Sequence, residues 1–275
     1  MPELPEVETI ARDLDGAVRG ATVASVRVFR PNVLRESRSP SFASRIAGAS
    51  IGRVWRRAKY VVCDLSSADR LVVSPRFTGS MLIEPAAWTT GRGDYTCIVF
   101  ALTDGRTMRW RDVRRLGTVT IMNPARFAAW EAALGPEPLD AAYTAAAFTA
   151  AMRGSRRAIK TVLMDQKRVA GVGNIYANEA LWRARIRPSR RGASLTRAEG
   201  ARLFKEVRAV LGIAVAQRGT SFRDYQDPFG GRGGFLGLAK VYGRAGEPCL
   251  RCKTILRSTH RLENRITVWC TECQR

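Results

Sequence analysis

The residues best suited to chemistry lie at the start of the chain, Met1-Pro2-Glu3-Leu4-Pro5-Glu6-Val7-Glu8. An aminopeptidase can remove Met1 when the small Pro2 follows, which leaves the Pro2 nitrogen as a free secondary amine. An α-amine has a pKa of about 8, so part of it is unprotonated near neutrality, whereas a lysine at about 10.4 needs heavy desolvation to match it. Such an amine can attack an electrophilic sugar carbon and form an iminium. Glu3 and Glu6 stand beside it as proton-transfer groups. The same stretch also fits a simple helix start, because proline is favoured in the first turn and acids suit the positive end of the dipole. Taken alone, the octapeptide leaves both readings open.

The second cluster is metal-ligand chemistry: Cys249-x2-Cys252-x17-Cys270-x2-Cys273. Two CxxC pairs at this separation predict one zinc ion held by four thiolates. Four cysteines leave no open coordination position, so this zinc is structural. Residues 254–259 and 266–269 should form a two-stranded hairpin with a basic tip, and His260, the sole histidine, reads as a surface residue of that tip. The remaining cysteines, Cys63 and Cys97, fall in strand-like stretches and read as small core residues.

These groups need a sizeable scaffold, and 275 residues with 45% hydrophobic and 25% charged composition supply one, with room for two domains. The net charge of +22 calls for a polyanionic partner. The charge is not a tail: residues 151–192 carry eleven Lys/Arg against two Asp/Glu, and 240–275 carry eight against three. The chain lacks an 18-residue apolar run and a signal-peptide core, so the expectation is a cytoplasmic protein with reduced thiols and no membrane partner.

Leu4, Val7, Ile10, Leu14 and Val18 recur at helical spacing and predict a helix over 3–19. Strands are expected at 22–29, 51–65, 71–74, 97–102, 107–110 and 118–122, an antiparallel β-sandwich with the first helix against it. Residues 134–139 read as a linker. Beyond it, helices are expected at about 144–152, 156–166, 173–184 and 196–217. Gly171-Val172-Gly173-Asn174 separates two of them and can offer backbone N–H groups to phosphate, although it also suits an ordinary tight turn. Residues 219–239, rich in glycine, read as a long functional loop. The expected fold is therefore a multidomain α+β protein: an N-terminal helix and sandwich over 1–134, a helical domain over 135–240, and a zinc-binding hairpin over 241–275.

In chain order, the opening Pro-Glu-Leu-Pro-Glu-Val-Glu, Arg57-Ala58-Lys59-Tyr60, the 134–139 linker, Gly171 through Ala177, Val241-Tyr242-Gly243-Arg244 and the cysteine hairpin resemble the formamidopyrimidine-DNA glycosylase and endonuclease VIII family. The resemblance spans the whole chain and is nearer the first branch. It implies a helix-two-turn-helix domain, a β-hairpin zinc finger and a bifunctional repair enzyme. That enzyme flips a damaged nucleotide from duplex DNA, removes the base and nicks the strand by β,δ-elimination. By resemblance Pro2 is the nucleophile, Glu3 transfers protons, Glu6 supports the site, and Lys59, placed on a strand, holds a phosphate. Lys160, Asn174, Tyr242 and Arg265 are implied DNA contacts. Phe77, Arg114 and Leu116 would fill the space left by the flipped base. One structural zinc, no organic cofactor, a monomer and a bacterial-type location at the nucleoid are implied as well. An endonuclease VIII-like pyrimidine-lesion glycosylase and a catalytically idle damaged-DNA-binding protein are the alternatives.

The chain departs from the family's pattern in places. Phe77 stands where a methionine is usual, and Leu116 where a phenylalanine is usual. Cys97 lies near the place of a phosphate-binding histidine. The zinc hairpin is one residue longer than the common spacing. The loop beginning at Thr220 keeps the length of the purine-lesion branch, which favours 8-oxoguanine and formamidopyrimidines.

Overall fold

The computed structural model describes all residues except 1, 87, 89–93, 221–227 and 230. Met1, whose removal the amine chemistry requires, and most of the 220–225 stretch lie outside the described residues. The chain divides into two compact units, Met1–Ala132 with Arg218–Gly234, and Ala133–Gln217 with Phe235–Arg275.

The first unit runs α1 (Leu4–Val18), β1 (Val23–Val28), α2 (Ser39–Ile46), β2 (Ile51–Arg57), β3 (Tyr60–Leu65), β4 (Arg70–Ser74), β5 (Gly79–Glu84), β6 (Thr96–Leu102), β7 (Thr107–Asp112), β8 (Thr118–Met122) and α3 (Pro124–Ala132). Its strands form two antiparallel four-stranded sheets, ordered β1-β6-β7-β5 and β2-β3-β4-β8. The apolar stripe of α1, from Val7 to Val18, shares one core with residues of both sheets and with Phe42 and Ile46 of α2. Each such side chain contributes about 1.5–3 kcal/mol by leaving water.

The single strand expected over 51–65 is instead a hairpin. Arg57 pairs with Tyr60, and Ala58-Lys59 is the two-residue turn between β2 and β3. Lys59 is therefore on a turn, not on a strand. Ala58 takes a φ of 52°, the left-handed value that the first central residue of a tight hairpin turn requires. The turn carries no Gly, Asn or Asp, which is why it was not visible in the residue pattern.

The second unit contains α4 (Ala145–Arg153), α5 (Ile159–Leu163), α6 (Asn174–Arg183), α7 (Arg197–Ala216) and a hairpin of β9 (Arg257–Thr259) and β10 (Thr267–Trp269). Thr196 and Glu199 cap α7 reciprocally, a pattern of Thr-x-x-Glu that satisfies two orphan N–H groups. Gly200 lets α7 approach α4: a Cβ there would lie 2.4 Å from Thr149 Cγ2. α5 is shorter than the 156–166 expected, because Asp165 and Gln166 turn the chain back. Gln166 Nε2 donates to the carbonyls of Met164 and Val172, and its Oε1 accepts from Gly171 N. The expected α+β architecture is the one observed, and among the described residues no helix is long and apolar enough to cross a membrane.

Candidate functional site

In the first unit the site residues gather at the N-terminal end of α1. Glu3 is the N-cap, and it and Glu6 cap the helix reciprocally. Glu3 N donates to Glu6 Oε2 at 2.7 Å, and Thr220 N donates to Glu6 Oε1 at 2.6 Å. Both oxygens of Glu6 thus hold backbone, and the carboxylate ties the helix start to the segment after α7. Gly219 is required for this contact: its φ is +82°, and a Cβ would lie 2.7 Å from Glu6 Cγ and Oε1. Pro2, Glu3 and Glu6 are all buried.

Lys59, half-buried, is brought to the same helix by a chain of polar contacts. Glu8 Oε2 accepts from Arg56 Nε at 2.8 Å, and Arg56 donates to the Ala58 carbonyl at 3.0 Å, inside the turn that carries Lys59. Burial raises the pKa of Glu8, but Arg56 and then Arg12 outweigh it and hold the carboxyl below its ordinary value. Two helical turns farther on, Asp15 Oδ1 accepts from Val54 N at 2.7 Å and anchors β2 again. The roles of Glu8 and Arg56 were not evident in the sequence, where Glu8 is only the last residue of the opening stretch.

Phe77, Arg114 and Leu116 lie on two neighbouring loops. Phe77 and Leu116 are 37% and 44% exposed, unusual for large apolar residues beside a well-filled sandwich. The Arg114 guanidinium sits 5.0 Å from the centre of the Phe77 ring. One buried carboxylate holds both loops: Asp112 accepts from Thr78 Oγ1 and from the N–H groups of Arg114 and Gly117. Gly79 and Gly117 pack on Trp110, where a Cβ would come within 2.2 Å and 2.6 Å of the indole. Asp112 and the two glycines were not singled out from sequence. They act on the apolar residues through backbone, and nothing in residue type alone reveals that.

In the second unit Asn174 begins α6 and is buried, after Gly173. The next turn of the same helix supplies two fully buried polar groups. Asn178 Nδ2 donates to the Asn174 carbonyl, and its Oδ1 accepts from Val268 N of β10 at 2.8 Å. Glu179 accepts from the backbone N–H groups of Lys240, Val241 and Tyr242 at 2.8–2.9 Å, which fixes the segment carrying Tyr242. Lys160 of α5 is 1% exposed, and its Nζ donates to the Ile266 carbonyl at 2.9 Å and to Thr267 Oγ1 at 2.7 Å. Arg265, half-buried, immediately precedes these hairpin residues. Asn174, Lys160, Tyr242 and Arg265 are therefore connected through α5, α6 and β10.

The sulfur atoms of Cys249, Cys252, Cys270 and Cys273 lie within 4.8 Å of one another. Four sulfurs at about 2.3 Å from a tetrahedral zinc are about 3.8 Å apart, so the set fits one zinc ion with every position filled. Cys249 and Cys270 join Trp182, Val241, Leu256 and Val268 in a small core. Gln274 braces the second pair, accepting from Cys270 N and donating to the Ile186 carbonyl.

The comparisons agree along the chain. The family described as "Formamidopyrimidine-DNA glycosylase N-terminal domain" matches residues 1–119, and "Formamidopyrimidine-DNA glycosylase H2TH domain" matches 134–226. Curated proteins named formamidopyrimidine-DNA glycosylase are 38% identical in Carboxydothermus hydrogenoformans, with both chains fully covered, and 43% identical in Moorella thermoacetica, over 92% of each. A mutant of the Lactococcus lactis Fpg, solved in complex with DNA containing Fapy-dG, superposes with a TM-score of 0.91 at 28% identity over all of both chains. The MutM (Fpg) protein of Thermus thermophilus gives 0.87 at 36% identity over 99% of this chain and 98% of that one. The helix-capped acids, the helical unit and the four-cysteine hairpin thus occur in a chain that belongs to the formamidopyrimidine-DNA glycosylase family.

Proposed function

We propose that this protein is a bifunctional DNA glycosylase and AP lyase that removes oxidised purines, 8-oxoguanine and formamidopyrimidines, from duplex DNA. The observation that carries the reading is the N-terminal end of α1. There Pro2 adjoins two buried carboxylates, one of them tied down by backbone N–H groups on both oxygens, and Glu8 and Arg56 hold the turn bearing Lys59 against the same helix. Binding DNA alone needs no such buried acids beside an amine. The relatives' names and the Fapy-dG in the Lactococcus complex support oxidised purines as substrates.

In this reading the Pro2 lone pair, freed by loss of Met1, attacks C1′ of the flipped nucleotide. The C1′–N bond breaks, and the base leaves with the bonding electrons and takes up a proton. Glu3 delivers a proton to the sugar ring oxygen as the ring opens, leaving an iminium on Pro2. The iminium acidifies C2′, whose proton is lost as the C3′–O bond breaks. A second elimination releases the 5′ phosphate, and water then hydrolyses the iminium. Glu6 orients the helix start, and Lys59 neutralises a phosphate beside the lesion. Phe77, Arg114 and Leu116 occupy the vacated stack. Asn174, Tyr242 and Arg265 hold backbone phosphates. Lys160 acts through the hairpin it is bonded to. The zinc, held by Cys249, Cys252, Cys270 and Cys273, supplies fold rather than chemistry. The protein works as a monomer on the nucleoid.

Borohydride tests this. With a duplex containing 8-oxoguanine it should reduce the iminium and link Pro2 covalently to DNA. A form with extra residues before Pro2 should bind DNA and fail to be trapped. Normal trapping and nicking by that blocked form would put the nucleophile on a lysine.

A further inference from the structure

The zinc hairpin has a second face, turned away from its small core. Side chains alternate along β10, so Val268 points into the small core with Trp182, while Thr267 and Trp269 share the opposite face. That face borders a cavity of about 480 Å³ that Arg187, Pro188 and Ser189 also line. Pro188, Leu262 and the Trp269 ring give it apolar walls; Ser189 and Ser258 add hydroxyls. Trp269 Nε1 is buried, so its N–H is not what the residue offers the cavity. The two guanidiniums at the cavity, Arg187 and Arg261, are exposed and form no ion pair or side-chain hydrogen bond among the described residues. Their neighbours differ: Arg190 is paired with Glu199, and Arg244 with Glu247. No acidic side chain lines the cavity. The Arg275 carbonyl oxygen accepts from Arg187 N and from the Arg190 guanidinium.

An aromatic wall, two free cations and hydroxyls in a pocket of this volume match a flat ring joined to a phosphate. We propose that this cavity is a second nucleic-acid subsite, which takes one nucleotide of an unpaired strand with its base against Trp269 and its phosphate between Arg187 and Arg261. A base inside a duplex is stacked on both faces and has none to present to the indole, so the subsite selects single-stranded over duplex segments. It needs no lesion and makes no use of Pro2, so it stands or falls apart from the glycosylase reading.

The test follows the indole N–H resonances of the full zinc-loaded protein, with Trp269 assigned through Trp269→Phe. Titration with thymidine dinucleotide should move the Trp269 resonance saturably. Arg187→Ala and Arg261→Ala should each weaken that binding by about tenfold, since each removes a charge-assisted contact. Both are surface changes, so unchanged indole spectra in the free variants would show that the fold is kept. Inorganic phosphate should shift the resonance little. An equal response to phosphate alone would reduce the cavity to a simple anion site, and no saturable shift with the dinucleotide would remove it altogether; either result overturns the proposal.

Discussion

Asn178→Ala probes how the hairpin is held. The side chain is fully buried, and its Oδ1 is the acceptor for Val268 N on β10, while Nδ2 donates to the Asn174 carbonyl and reaches the Ile266 carbonyl at 3.4 Å. Truncation leaves the buried Val268 N–H without its acceptor, which costs about 1–3 kcal/mol. The lost bond to Asn174 adds about 0.5–1.5 kcal/mol. The second unit should therefore lose about 1.5–4.5 kcal/mol, read as a lower denaturant midpoint for the transition that reports Trp182. The functional consequence is separate. If Asn178 holds the hairpin so that Arg265 reaches a phosphate, the slope of log K against log salt for lesion-containing duplex should fall by about 0.9, the value of one released counterion. Arg265→Ala should lower it equally, and the double variant should fall no further. Full additivity of the two, or an unchanged midpoint in Asn178→Ala, would refute the reasoning.

Phe77→Ala should impair nicking of an 8-oxoguanine duplex more than nicking at a preformed abasic site, because a site without a base needs less replacement of stacking; equal losses in single-turnover assays would reject the wedge role. Cys252→Ser should lower the zinc content measured by metal analysis and weaken DNA binding more than it lowers the melting of the sandwich, which keeps its own core. Glu199, hydrogen-bonded by Arg190, has its pKa lowered to about 2 from 4.5. A carboxyl with a depressed folded pKa stabilises fully above its unfolded value of 4.5 and loses that contribution as pH falls toward 2. The melting difference between the parent and Glu199→Gln should therefore be constant at neutral pH and shrink below pH 4.5.

The parts of the fold that are repeated in residue pattern were readable before the structure. The α1 stripe and the paired CxxC motifs each carry their cause in the local sequence. Elements whose cause lies elsewhere in the chain were not. β5 is not evident in the residue pattern because its first residue, Gly79, packs against the Trp110 ring of β7, a partner distant in sequence. The β2–β3 turn is fixed from α1 through Glu8 and Arg56 rather than by turn residues. α2 and α3 start at Ser-Pro and Asn-Pro steps that look like loop punctuation in isolation. The same division holds for the site. The cysteines and opening acids are visible by type and spacing, whereas Asp112, Asn178 and Glu179 matter through distant groups they meet, most of them backbone.

The bond from Thr220 N to Glu6 joins residues 214 positions apart. A ribosome adds about 5–20 residues per second, so α1 and the sandwich are available well before this partner has been made. The first unit can collapse early around its apolar core, yet the bond from Thr220 to Glu6 forms only after α7 is complete and the chain has returned. Fragments ending after α3 should therefore retain a packed sandwich and lack the finished helix start. Assembly order thus leaves the N-terminal helix start unfinished in a half-made chain.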